Sequence, residues 1–251
     1  MPTSLSYGAG VQTTALLVLI ATERWHRPDA ILFADTEGEH DETYAYLTKV
    51  AQPYAHDHDM EIITLGGEWR TKHYRAGLED YCIDHRMVPG TWLRWCTDRY
   101  KVKPIRRYHK KHWPGEIVES WIGISTDEMK RARTEIRDPL ERRSYPLLEL
   151  GLARSDCLSI IKSAGLPTPP KSGCWFCPFK SQAQWFTLRR RRPDLFDRAH
   201  AMEKNARGKN GEHKYLAIFG SLDRIAAQDE FPGFDEIMES EAGCVTGQCF
   251  V

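Results

Sequence analysis

The sequence lacks an excess of either charge: its 251 residues carry 35 lysines and arginines against 35 aspartates and glutamates. That balance excludes a chain-wide polyanion-binding surface and leaves only local basic patches. Long hydrophobic runs are missing too. None approaches the ~18 residues that a membrane-crossing helix needs, and no basic segment followed by an apolar core stands near the start. The expectation is a cytoplasmic protein with no membrane partner. The seven cysteines are odd in number, which argues against a disulfide framework there and points any clustered ones toward metal or redox use. Internal repeats and low-complexity tracts are absent. What is left is a chain long enough for one α/β domain, or a domain with a small appendage.

The most informative stretch that is present runs Ser4-Leu5-Ser6-Tyr7-Gly8-Ala9-Gly10-Val11-Gln12-Thr13-Thr14. A short apolar strand enters a small, hydroxyl-rich turn, and Leu16, Leu17, Leu19 and Ile20 then supply the apolar positions of a helix. Glycines let the backbone come close to a ligand, and a helix N-terminus offers N–H groups to an anion. The Gly-Lys-Ser/Thr ending of a Walker A loop is missing, as is the full dinucleotide-binding spacing. A tight strand-to-helix turn explains the same glycines.

Ala30-Ile31-Leu32-Phe33-Ala34, ending at Asp35-Thr36, reads as a buried strand. A helix is predicted from Glu42 to about Tyr54, and a strand over Glu61-Ile62-Ile63-Thr64-Leu65. Residues 66–95, rich in Trp, Tyr and charge, read as a substrate-facing insertion. Asp98 to Lys111 reads as a helix with Pro104 near a first turn or a kink. Ile117 to Ile124 reads as another strand, with Gly123 at its end, and Ser155 as the N-cap of a helix through Ser163, stopped by Gly165. The alternation predicts an α/β fold, a parallel twisted sheet flanked by helices, with ligands at the carboxyl ends of strands. A proline-rich stretch then leads to Cys174 and Cys177, and two helices are predicted over 181–191 and 194–206. The division expected is a nucleotide-binding domain over 1–165 and a small helical, cysteine-containing region over 166–251.

Five segments in order resemble the phosphoadenosine phosphosulfate (PAPS) reductase branch of the PP-loop ATP pyrophosphatases, within the adenine nucleotide α-hydrolase-like superfamily. Ser6–Thr14 is similar to the modified phosphate loop. Asp35-Thr36 with Glu42-Thr43 is similar to a "DT…ET" segment, and Arg94-Trp95-Cys96-Thr97 with Lys101 and Pro104 to "R-x-C-T…K-x-x-P". Gly123-Ile124-Ser125 with Asp127, Glu128 and Arg131 resembles "G-I-x-x-D-E…R". Tyr145-Pro146-Leu147 and Gly173-Cys174 to Cys177 match the closing elements. The chain departs from the usual S-G-G-x-D-S loop, with Gln12 at the acidic position and Thr13 for the final Ser.

The resemblance implies a nucleotide site made of Ser6, Gly8, Ala9, Gly10, Gln12, Thr13, Thr14, Asp35, Thr36 and Gly123. Thr13 and Thr14 would bond a polyphosphate, or one of them would only cap the helix. Asp35 would bond a ribose or an amine, or merely close a turn. Lys101, Arg131 and Arg133 are candidates for phosphate or sulfate charge, with Lys101, Arg131 and Asp127 as the catalytic set. Asp127 and Glu128 would hold Mg²⁺ beside ATP, or pair with Lys130 and Arg131. Cys96, Cys174 and Cys177 would form a metal set for a [4Fe-4S] cluster, with zinc as the alternative. The fourth position would be open, or filled by Cys82, Cys244 or Cys249. Cys157 reads as a small buried hydrophobe.

Arg189-Arg190-Arg191-Arg192, with Lys204, Arg207, Lys209 and Lys214 downstream, is a local basic cluster that would suit a nucleic-acid backbone. Asp194, Asp197 and Glu203 partly offset it. The leading expectation is an ATP pyrophosphatase-type enzyme that activates an acceptor for sulfur transfer, in tRNA thiolation or DNA phosphorothioation, with a sulfur-donor protein as partner. The rivals are a sulfonucleotide reductase using a tail thiol, and an accessory subunit without turnover.

Overall fold

Alternating apolar segments build the sheet in the computed structural model, which describes residues 1–90, 94–132, 138–208 and 211–228. Arg133, Lys209, Cys244 and Cys249 lie outside them. Strands β1 (Thr3–Ser6), β2 (Ala30–Ala34), β3 (Ile62–Leu65), β4 (Val118–Ile122) and β5 (Glu141–Ser144) form one all-parallel sheet in the order β3-β2-β1-β4-β5. Leu5 stands beside Ile31 on one side and Trp121 on the other. Successive residues point to opposite faces, so the two faces bury different partners. Leu5, Ile31, Phe33 and Ile62 face a cluster with helix α1 (Val11–Ala21), whereas Ala30, Leu32 and Leu65 join Tyr108 on the other face.

After β2 the chain forms α2 (Asp41–Tyr46), a π-helical turn over Leu47–Ala51, and α3 (Gln52–His56). Beyond β3 come α4 (Leu78–Asp84), α5 (Trp95–Thr97), a second π turn over Asp98–Val102, and α6 (Lys103–His112). Each π turn ends two residues before a proline, Pro53 and Pro104. A proline has no N–H and its ring crowds the carbonyl four residues back, so the widened turn accommodates it. The kink expected at Pro104 takes this form.

A 3₁₀ segment, Thr126–Arg131, follows β4. Short α7 (Pro146–Glu149) follows β5, and α8 (Arg154–Ser163) packs on α1. Helix α8 begins one residue before the expected cap. Ser155 lies inside the helix, because Asp156 accepts the Ala153 N–H at 2.8 Å and Asp127 accepts that of Arg154 at 3.0 and 3.2 Å. Carboxylates therefore do the capping expected of Ser155.

The last described part holds α9 (Gln182–Arg191), α10 (Pro193–Asn205) and α11 (Asp223–Ala226). Ser181 caps α9 by accepting the Gln184 N–H. These helices share a second, aromatic core with residues before the expected boundary at 165. Tyr81, Cys82 and Tyr100 pack with Cys174, Trp175, Phe176, Trp185 and Phe196. Buried Glu203 fixes the following loop by accepting the N–H groups of Leu216 and Leu222, both at 2.7 Å. No helix among the described residues is long and apolar enough to cross a membrane.

Candidate nucleotide site and cysteine centre

A cavity of about 470 Å³ opens at the carboxyl ends of β1, β2 and β4, within the size range of small-molecule sites. Ser6, Gly8, Gly10, Gln12, Thr13 and Gly123 of the expected nucleotide set line it, and Lys101 and Arg131 of the expected catalytic set join them. Gly10 brings no side chain to cap α1, so the first turn presents its N–H groups and dipole to this space. The glycines have separate reasons. A Cβ on Gly10 would stand 2.9 Å from Ser172 Oγ, and one on Gly123 would stand 2.8 Å from Thr13 Cγ2. Around Gly8 the space is open, room that a ligand can use. The turn also forces Ala9 to a φ of 53°, a conformation alanine seldom adopts. Ala9 is fully buried and lies outside the lining.

Thr13 and Thr14 separate in role. The Thr13 hydroxyl accepts the Gly8 N–H at 3.2 Å and donates to the Gly10 carbonyl at 3.3 Å, closing the loop. Thr14 is fully buried, with its hydroxyl 3.0 Å from that of Tyr7. Facing the core, it does not reach the cavity as a phosphate ligand would. Asp35 also serves its own turn, accepting from Tyr44 Oη at 2.6 Å and the Glu37 N–H at 2.7 Å. Thr36 is buried behind the cavity, with its hydroxyl 3.3 Å from Cys174 Sγ.

The acidic pair is likewise engaged. Asp127 caps α8 and accepts from Ser125 Oγ at 3.0 Å, and only Glu128 of the two lines the cavity. Gln12 Nε2 donates to Glu128 at 3.2 Å, and Gln12 Oε1 accepts from Arg154 at 3.3 Å. Arg154 and Lys171 are lining cations that the sequence reading did not single out. Nothing in their local spacing marks them, because the chain brings them to the cavity from after β5.

Lys101 lies between the cavity and the cysteine centre. Its ammonium pairs at 3.1 Å with buried Glu39, another residue that no sequence signal marked. Burial would lower the lysine's pKa, but Glu39 and the thiols of Cys174 and Cys177 outweigh it and raise the value. The cysteine loop is laid against the turn after β2: Glu39 bridges Cys174, and the Trp175 N–H bonds Gly38 O at 3.0 Å. Burial pushes the Cys174 thiol well above its usual pKa, and burial raises that of Cys96 too. Cys82 is buried on α4 in the same core. Cys157 is buried under the sheet, with its pKa raised to about 12 chiefly by burial, as the sequence led one to expect of a small hydrophobe. Among the described residues no group of three or more His, Cys, Asp or Glu side chains is placed to hold a metal ion. Cys96, Cys174 and Cys177 all border the second core, and the Lys101 ammonium acts on the Cys96 and Cys174 thiols alike.

Two arginines of the basic cluster have protein partners of different kinds. Arg189 donates to the carbonyls of Ile225 and Gln228, and Arg192 pairs with Asp41 at 2.8 Å and Asp194 at 2.9 Å.

No curated protein matches the chain. Residues 2–146 match the phosphoadenosine phosphosulfate reductase domain, a span that contains the loop, the parallel sheet, Lys101 and Arg131. On this match over more than half its length, the chain belongs to the phosphoadenosine phosphosulfate reductase domain family.

Proposed function

We propose that the cavity binds an adenine nucleotide with its phosphates at the α1 N-terminus, and that the protein is an ATP pyrophosphatase-type enzyme. It would cleave ATP between the α and β phosphates, adenylylating an acceptor oxygen so that sulfur can displace it. A nucleic-acid acceptor, in tRNA thiolation or DNA phosphorothioation, is part of this reading. The observation that carries it is the placement of an uncapped helix N-terminus beside Lys101, Arg131 and Arg154 in one cavity. Preorganised cations and N–H groups stabilise charge developing on phosphate oxygens, which is the main catalytic requirement of phosphoryl chemistry. Lys101 supports the sulfur part of the reading, because its Glu39 partner reaches the loop carrying Cys174.

The test is product analysis with acceptor present. Release of AMP and pyrophosphate supports the reading, and release of sulfite from a sulfonucleotide replaces it with a reductase activity. Nucleotide binding without either product would make the chain an accessory subunit.

A [4Fe-4S] cluster on Cys96, Cys174 and Cys177, with zinc as the alternative, is part of this reading. Iron and acid-labile sulfide analysis of anaerobically prepared protein checks this, with about four irons per chain expected for a cubane cluster. One zinc and no colour would replace the cluster while keeping the ligands.

A further inference from the structure

Resting on the nucleotide reading above, we propose that the cavity takes its polyphosphate or phosphosulfate chain as the bare anion. Arg131 and Arg154 neutralise it, and among the described residues no lining carboxylate is left for a divalent cation. Among the described residues that line the cavity, Lys101, Arg131, Arg154 and Lys171 are cationic and Glu128 is the one carboxylate, with Glu39 pairing Lys101 from outside the lining. Both oxygens of that carboxylate are engaged: Oε1 accepts from Arg131 and Oε2 from Gln12. The neighbouring Asp127 is spent on the α8 backbone and on Ser125. Mg²⁺ is ordinarily held through one or two protein carboxylates together with water and phosphate oxygens, and here both local carboxylates already have partners.

Gln12 is the residue that sets this balance. Its amide donates to Glu128 through Nε2 and accepts from Arg154 through Oε1, so it holds a carboxylate and a guanidinium side by side. A carboxylate at position 12 could accept from Arg154 but would repel Glu128. Arg154 also has an unsatisfied donor, its Nε being buried without a partner. A buried unpaired donor is costly. The guanidinium is suited to two-pronged recognition of phosphate or sulfate.

Titration calorimetry on the full chain tests the proposal, using ATP and, separately, adenosine 5′-phosphosulfate, each with EDTA and with excess Mg²⁺. The expected result is saturable binding of at least one nucleotide in EDTA, unchanged or weakened by Mg²⁺. Which nucleotide binds tells polyphosphate from phosphosulfate. Arg154→Gln should weaken binding about tenfold or more, the loss expected for a charge-assisted contact, without lowering the thermal midpoint. Gln12→Glu should weaken binding in EDTA and regain affinity with Mg²⁺. Wild-type binding that requires Mg²⁺, or an Arg154→Gln protein that binds like wild type, would overturn the proposal while the nucleotide reading stands. Failure of both nucleotides in both buffers would overturn the nucleotide reading and this proposal together.

Discussion

The two main cores of the molecule are built in opposite ways. Beneath the loop, mostly aliphatic side chains such as Leu5, Leu16, Leu17, Ile31 and Ile161 come from the strands of the sheet and the helices packed on it. Around the cysteines, rings are more frequent: Tyr81, Tyr100, Trp175, Phe176, Trp185 and Phe196 arrive from two stretches far apart in the chain. The first core fixes backbone, which is what an anion site made of N–H groups needs. The second fixes side chains on loops, where thiols, Lys101 and Glu39 meet. The division teaches that the loop at the α1 N-terminus depends on sheet geometry, and the placement of the thiols on long-range packing.

The largest effects should come from hollowing each core. Trp185→Ala should cost about 3–5 kcal/mol, and Leu17→Ala a comparable amount. Hydrogen exchange distinguishes them: the Trp185 change should expose α9 and α10 while α1 stays protected, and the Leu17 change should expose α1. Uniform loss in both variants would dissolve the comparison. The buried indole N–H of Trp185 has no partner, so Trp185→Phe should cost much less than the alanine change, which keeps the test about volume.

Acid should act on the sheet region through His109, whose ring is 2.9 Å from Ser4 Oγ on β1. Burial lowers its pKa from 6.5 to about 4. The unfolded chain therefore takes up a proton over that interval while the folded state does not, and stability falls as pH drops through it. The loss should reach about 3 kcal/mol by pH 4, and His109→Gln should flatten it in denaturant titrations.

Within the site, Gly123→Val should drive its Cβ into Thr13 and lower nucleotide affinity about a hundredfold, or ~2.7 kcal/mol. Gly8→Ala meets no protein atom, so it should fold normally and weaken nucleotide binding, as calorimetry would show. The smallest change is expected from Arg192→Ala. Its two exposed ion pairs should contribute nothing measurable to the melting temperature.

The sheet was legible in the sequence because strand and helix periods repeat within short windows. Ala30–Ala34 matches its predicted span, and the strand ending at Leu65 begins one residue later than predicted. Helix starts were less legible. Ser155 carries the expected cap chemistry, yet Asp127 and Asp156 displace it from other positions. The loop glycines pointed to the cavity, but Thr14 looks like Thr13 in sequence and faces the other way, because one helical step rotates it into the core. Arg154, Lys171 and Glu39 carry no local signature. Their proximity to the site is a product of tertiary folding.

The wall of the cavity formed by Thr168 to Ser172 has one more consequence. Pro167, Pro169 and Pro170 each lock φ and remove a donor, and Tyr46 Oη holds the Pro167 carbonyl at 2.9 Å. This wall is kept in shape by ring closure more than by hydrogen bonds. A segment already short of conformations loses little entropy when a ligand settles against it. Replacing Pro169 and Pro170 with alanine should therefore leave the contacts of the bound state in place and weaken affinity through freedom that the bound state must give up.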